Sequence, residues 1–182
     1  MIRKIKFDYD FSVFLPPKAD YSVHKGSCLT HQVKELTDIH QEYGLGETYD
    51  ENNTTIRQLW YTEDQVDFKE IGDLLGIDVI TISSILQPPG NIIALHRDTF
   101  YQINKRFPDD KRTKVRANIY LEDWKVGHFL QYKSEEDNCW KTSDNWKAGD
   151  GFIWDSKPLH LSANAGMKDK FTLQVSGFRK EK

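Results

Sequence analysis

The chain has little cysteine. Cys28 and Cys139 are the only two in 182 residues; they form no CxxC pair and no disulfide framework, and two distant thiols read best as free groups in a reducing compartment. No stretch approaches the ~18 consecutive apolar residues of a transmembrane helix. Charges interrupt the opening MIRKIKFDYDF where a signal peptide would carry its apolar segment. These absences predict a cytoplasmic protein with no membrane association. A basic block is also missing. The formal net charge is -3 with acids and bases interspersed, which disfavours a phosphate-tracking surface and hence nucleic acid as a partner. There is no internal repeat and no low-complexity tract. What the chain does have is aromatic bulk: five Trp, eight Tyr and ten Phe supply the apolar area of a packed core and exclude intrinsic disorder. The length predicts one domain, 1–182.

Residues 2–15 alternate loosely and predict a strand ending at Pro16-Pro17. Residues 30–43 place Val33, Leu36, Ile39 and Tyr43 at helical spacing, with Thr30 as N-cap and Gly44 past the end. A second helix is predicted over 63–75, with Thr62 and Gln65 as a capping box and Gly76 as its stop. The pattern then changes to short β-rich runs at 78–86, 92–98, 114–122, 128–133, 138–142, 151–155, 158–163 and 170–178, separated by turn signals. One helical candidate, Thr99–Arg106, interrupts them before Pro108. The expectation is a mainly β chain with flanking helices: an N-terminal strand and supporting helices over 1–77, and a sandwich or barrel core over 78–178.

Alternate residues of a strand share a face. In KVRANIYL, Val115, Ala117, Ile119 and Leu121 oppose Arg116, Asn118 and Tyr120. In KFTLQVSGF, Phe171, Leu173 and Val175 oppose Lys170, Thr172, Gln174 and Ser176. In PLHLS, Leu159 and Leu161 oppose His160 and Ser162; in IIALHRD, Ile93 and Leu95 oppose His96 and Asp98. One reading is an antiparallel sheet with a dry and a wet face. The other is that polar faces converge inside a barrel and line a pocket. The polar residues are His, Asp, Arg, Asn, Tyr, Thr, Gln and Ser rather than the Lys and Glu of a solvated face, which favours the pocket.

His96 and Asp98 would project from one side of a strand, within reach of one metal ion. By itself the pair carries nothing: six His and 18 Asp give about 0.6 chance occurrences. A third ligand would complete the two-His-one-carboxylate face of non-haem Fe(II) oxygenases. His31 and His40 lie on opposite sides of the predicted first helix and cannot share a site; His24 falls in an early loop. His160, on a polar strand face, is the preferred third ligand, with His128 in reserve.

The segments PPGNIIALHRD, RANIYLEDWKVGHFLQY and WKAGDGFIWDSKPLHLSANAGMKDKFTLQVSGF together resemble the Fe(II)/2-oxoglutarate-dependent oxygenases over residues 85–178. They are nearest to the small bacterial and phage members and, more loosely, to the aspartyl/asparaginyl β-hydroxylases. The resemblance implies a double-stranded β-helix (a jelly roll, or cupin-like barrel) and His96, Asp98 and His160 as ligands of Fe(II). It implies Lys170, ten residues past His160, at the position where an Arg usually grips the far carboxylate of 2-oxoglutarate. Lys keeps the charge and loses the bidentate fork. Thr172 matches the Ser or Thr that accompanies that residue. The β-hydroxylases lack the metal carboxylate found here at Asp98, so their substrate is not carried over. Arg116 is a second candidate for the far carboxylate, or for the keto-acid end or the substrate; Asn118 belongs with the cofactor-binding candidates, and Tyr120, Gln131 and Ser162 are candidate pocket residues.

The activity implied is hydroxylation of a small molecule or of an amino-acid or peptide side chain, with O2 as co-substrate and 2-oxoglutarate converted to succinate. Two other readings stay open: a cupin-like small-ligand-binding module without catalysis, and a metal-dependent enzyme that does not use 2-oxoglutarate. WKAGDGFIWD reads as a turn with packing aromatics, SEEDN as a solvated hairpin tip, and FPDDKRTK as a loop at the pocket mouth.

Overall fold

Eleven strands and two helices are described in the computed structural model, which covers residues 2–25, 38, 42 and 54–181. The predicted helix over 30–43, with His31 and His40, falls outside the described residues except for Asp38 and Glu42, and Cys28 falls outside them too. The strands are β1 (Arg3–Lys6), β2 (Ser22–His24), β3 (Ile56–Tyr61), β4 (Ile77–Gln87), β5 (Ile92–His96), β6 (Lys114–Tyr120), β7 (His128–Lys133), β8 (Trp140–Ser143), β9 (Asp150–Trp154), β10 (His160–Asn164) and β11 (Lys170–Arg179). They form two antiparallel sheets, ordered β1-β9-β6-β11-β4-β3-β2 and β5-β10-β7-β8. The two sheets face each other as a jelly roll.

The helices differ from expectation at their starts. Thr62 and Gln65 do interact, the Thr62 backbone N–H donating to Gln65 Oε1 at 3.0 Å, but the turn they close does not propagate. The helix α1 (Phe68–Leu75) begins one turn later, where Asp67 accepts from the Glu70 N–H at 2.9 Å. A carboxylate N-cap satisfies an orphan donor and sits well against the helix dipole. Gly76 ends it with φ of +71°, a conformation that costs glycine nothing. The second helix, α2, spans Tyr101–Arg106. The expected strand over 2–15 is instead β1 followed by a single 3-10 turn over Phe11–Phe14, capped by Asp10. β3 was not anticipated, although Ile56-Arg-Gln-Leu-Trp-Tyr61 carries strand-forming residues.

The main core lies on the back of the large sheet. Val115, Ala117, Ile119, Leu173 and Val175 pack there against Ile71 and Leu75 of α1 and against Phe7 and Phe14 of the N-terminal segment. The dry face of each of these strands is thus covered from outside, and the polar faces are left to meet the small sheet. No helix among the described residues is long and apolar enough to cross a membrane.

Candidate metal centre and its two cavities

His96 and His160 meet because of strand register. They are direct partners across the β5–β10 ladder, and their ring centroids lie 4.2 Å apart. Asp98 lies two residues beyond the end of β5, where the chain has left the ladder. Ligand atoms of the three residues all fall within 4.8 Å of one another. Each imidazole is oriented by its own backbone: a carbonyl can only accept, so His96 Nδ1–H donates to the Ala94 carbonyl at 2.7 Å and His160 Nδ1–H to the Pro158 carbonyl at 3.1 Å. Both Nε2 lone pairs are therefore free, each 3.9 Å from an oxygen of Asp98. Backbone anchoring of this kind sets the tautomer that a metal requires.

The protonation states suit the same role. Burial pulls His96 down to about 3, helped by the neighbouring His160 and Arg116 and opposed by Asp98. Burial also lowers His160. Burial would raise Asp98, but Arg116, the two imidazoles and the Trp154 hydrogen bond together hold it below the usual carboxylate range. Two neutral imidazoles and one carboxylate are the donor set for Fe(II), Mn(II) or a similar divalent ion, with one triangular face left for other ligands.

Two residues position Asp98. Trp154 Nε1–H donates to its Oδ2 at 2.6 Å. Arg116 forms an ion pair with its Oδ1, donates from Nε to Ser176 Oγ at 2.9 Å, and lies over the Phe100 ring with its guanidinium carbon 5.4 Å from the centroid. Arg116 is therefore at the ligand end of the site, on the rung of Ser176. Lys170 is six residues away along the same strand, roughly 20 Å of strand rise. The two cations do not meet at one carboxylate. Trp154 was not singled out from the sequence; alternation over GFIW, which puts it with Phe152 against Ile153, was the available signal.

Lys170 is 2% exposed. Its ammonium donates to the Phe129 carbonyl at 2.8 Å and to Ser162 Oγ at 2.5 Å. Ser162 in turn donates to Gln87 Oε1 at 2.8 Å, which fixes the hydroxyl as an acceptor toward Lys170. Among the described residues no carboxylate lies within 4 Å of the ammonium, and burial pulls its pKa down to about 7. A narrow inner cavity between the sheets is lined by His96, His160, Asn118, Thr172 and Gln174 among others; Lys170 does not line it, but Ser162, to which Lys170 donates, and Gln87, which accepts from Ser162, do. Tyr120 also lines it, stacked on Trp146 with its hydroxyl on Ser143.

Gln131 is not brought in. It sits on the opposite face of β7 from the cavity-lining Leu130 and donates to Thr142 Oγ1 at 3.1 Å. His128 stands at the far end of β7, paired with Asn164, and donates Nε2–H to the Lys168 carbonyl; its role is to close a loop. The 107–114 segment is tied down by Arg112, which bridges Asp110 and Asp78, and its residues do not line the cavity mouth. A second, outer cavity of about 500 Å³ opens on the other side of the ligands. His96, Ile85, Ile93 and Gln174 line both, so the three ligands stand at the junction.

No protein-family model matches the sequence, and no curated protein does either. Solved structures do match. A prolyl-4-hydroxylase from Pseudomonas putida is similar at 18% identity over 88% of this chain and 93% of its own, with a TM-score of 0.51. The non-haem α-ketoglutarate-dependent epimerase SnoN from nogalamycin biosynthesis is similar at 14% identity over 86% of this chain and 77% of its own, with a TM-score of 0.51. A prolyl hydroxylase from Trichoplax adhaerens, solved with a hypoxia-inducible-factor peptide, is similar at 14% identity over 88% and 84%, again with a TM-score of 0.51. None of these three is an aspartyl/asparaginyl β-hydroxylase, and that finer likeness rests on sequence motifs alone. At such identities the likeness carries the fold, and the fold is the jelly roll in which those enzymes are built.

Proposed function

We propose that the protein is a non-haem Fe(II)/2-oxoglutarate-dependent oxygenase acting as a hydroxylase, with His96, Asp98 and His160 as the metal ligands. The observation that carries this reading is the pairing of a metal-ready donor set with a buried ammonium that lacks an anion. An isolated buried charge costs several kcal/mol, so a fold that retains one has a use for it. Ser162 is two residues from His160 on one strand face, roughly 7 Å of strand rise, and holds the ammonium. A five-carbon diacid spans ~5 Å between its terminal carbons. Its far carboxylate would take the third N–H of Lys170 with Thr172 beside it, while its keto-acid end reaches the ligand face.

Fe(II) bound there would supply O2 activation coupled to decarboxylation of 2-oxoglutarate to succinate and CO2, with hydroxylation of a substrate C–H bond. The chain's own part is to orient and to exclude water. His96 and His160 present fixed Nε2 lone pairs, Asp98 is held by Trp154 and Arg116, and Asn118 and Tyr120 wall the co-substrate channel. Asp98 occupies the position that a halogenase would leave for a halide, so hydroxylation is favoured. The prolyl hydroxylase neighbour acting on a peptide keeps a peptide among the substrate classes, beside small molecules. The test is thermal stabilisation by 2-oxoglutarate in the presence of Mn(II), together with succinate release by the Fe(II) protein. Stabilisation by the metal alone, with none from 2-oxoglutarate, would refute the proposal in favour of a metal enzyme or cupin-like binding module that does not use that acid.

A further inference from the structure

The outer cavity has a charge imbalance. Its apolar wall is formed by Ile56, Trp60, Ile85 and Ile93, and among the described residues Asp98 is the sole acidic side chain on it. Asp98 is already committed to Arg116 and the metal position. Arg116 is not fully used. A guanidinium has five N–H donors; one goes to Asp98 and one to Ser176, leaving three with no partner among the described residues, on a side chain that lines the outer cavity. His24 Nε2, on the same cavity wall, is buried with no hydrogen-bond partner among the described residues.

This argument rests on the oxygenase reading. A divalent ion, dianionic 2-oxoglutarate, Asp98, Arg116 and the Lys170 ammonium together leave one positive charge uncompensated. Lys170 faces the co-substrate, so the surplus falls on the outer cavity, whose lining carries Lys25 and Arg97 as well as Arg116. We infer that the substrate is a small apolar monocarboxylic acid whose carboxylate is taken by the open side of the Arg116 guanidinium, with His24 as a further polar contact. Arg116 then bridges two carboxylates, the metal ligand on one side and the substrate on the other. Phe100 and Ser176 fix the plane of the guanidinium, so the substrate carboxylate enters in a set orientation. The reactive C–H lies close along the chain to that carboxylate, because the same side chain touches both it and Asp98. The remaining substrate carbons lie on Ile56, Ile85, Ile93 and Trp60.

The test uses the full chain loaded with Mn(II) and 2-oxoglutarate under anaerobic conditions. The probes are matched pairs: hexanoate and hexanamide, phenylacetate and phenylacetamide, N-acetyl-leucine and its amide. Paramagnetic relaxation of probe protons by Mn(II) reads both affinity and closeness to the metal. At least one carboxylate is expected to bind ten-fold or more tightly than its amide, with its protons nearest the carboxylate relaxed most. The preference is expected to collapse in Arg116→Gln and to weaken in Arg116→Lys, with Mn(II) affinity measured alongside because Arg116 also holds Asp98. Equal binding within every pair, tighter binding of the amides, or binding of neither overturns the inference, and the wild-type comparison alone decides this even where a variant fails to fold. Thermal stabilisation by 2-oxoglutarate, recorded first, separates the two levels: with it present and no discrimination, the anionic substrate is refuted and the oxygenase reading stands; with it absent, both fall.

Discussion

Replacing Lys170 with Met should move stability in opposite directions with and without the co-substrate. Burial draws the ammonium from 10.5 to about 7, a displacement corresponding to about 5 kcal/mol against the charged form. At pH 6 both the folded and the unfolded chain carry the proton, so that cost is fully present. As pH rises from 7 to 10.5 the folded state releases the proton before the unfolded state does, and wild-type stability climbs. Met removes the cost but leaves the Phe129 carbonyl and the Ser162 hydroxyl without their donor, at about 1.5 kcal/mol each. The net is a gain of about 2 kcal/mol at pH 6, or ~4–8 °C in Tm for a chain of this size. With Mn(II) present and 2-oxoglutarate at 100 times its Kd, wild type should gain about 2.7 kcal/mol. The variant should gain almost nothing, because a buried carboxylate without its cation loses about 3–5 kcal/mol, which is ~10²–10⁴-fold in Kd. Differential scanning fluorimetry at pH 6 and pH 9 reads all four states. A lower Tm for the ligand-free variant at pH 6, with an undiminished response to 2-oxoglutarate, would show that Lys170 is a satisfied structural lysine.

Other outcomes follow from the same geometry. Calorimetric 2-oxoglutarate affinity in wild type should be level below pH 7 and weaken by up to ~10-fold per pH unit above it, as the free protein's Lys170 loses its proton; a flat profile to pH 9 would exclude Lys170 as the anion's partner. Trp154→Phe keeps the ring packed on His160 and Phe152 but deletes the donor to Asp98, and should weaken Mn(II) binding by ~10–100-fold; unchanged affinity in a competition titration would mean the indole only fills space. Asp67→Ala removes the N-cap of α1 and should cost about 1 kcal/mol, seen as a few degrees in Tm, with metal binding unaffected.

Strand-forming runs and turn signals located the jelly-roll strands from β4 to β11, and period-2 alternation sorted the faces of β6, β10 and β11, which have a dry back and a polar front. Val115, Ala117, Ile119, Leu173 and Val175 are buried on the back of the sheet, while Asn118, Thr172, Gln174, His160 and Ser162 line the cavity between the sheets. β1 was overextended because aromatic residues such as Phe7, Tyr9 and Phe11 keep a strand-like rhythm through a segment that turns to stack them on one another. Face assignment failed at Ile93, which alternation set against His96 and which the structure places beside it on both cavities. The cause is a bulge: from His160 to Ser162 β10 advances two residues while β5 retreats three, from His96 to Ile93. Bulges shift one strand's facing relative to its partner and commonly sit beside functional sites. Here the irregularity lies directly behind the His96–His160 rung, where β5 ends. β5 ends at His96, so Asp98 is off the ladder and turns in to Trp154 and Arg116, while the bulge turns Ile93 inward as an apolar wall shared by the two cavities. A His-x-Asp pair on a regular strand would keep both side chains in one row with no third group to orient the carboxylate. The cross-strand pairing of His96 with His160 and the end of β5 just after it, neither visible to periodicity, are what convert a weak two-residue motif into three converging ligands.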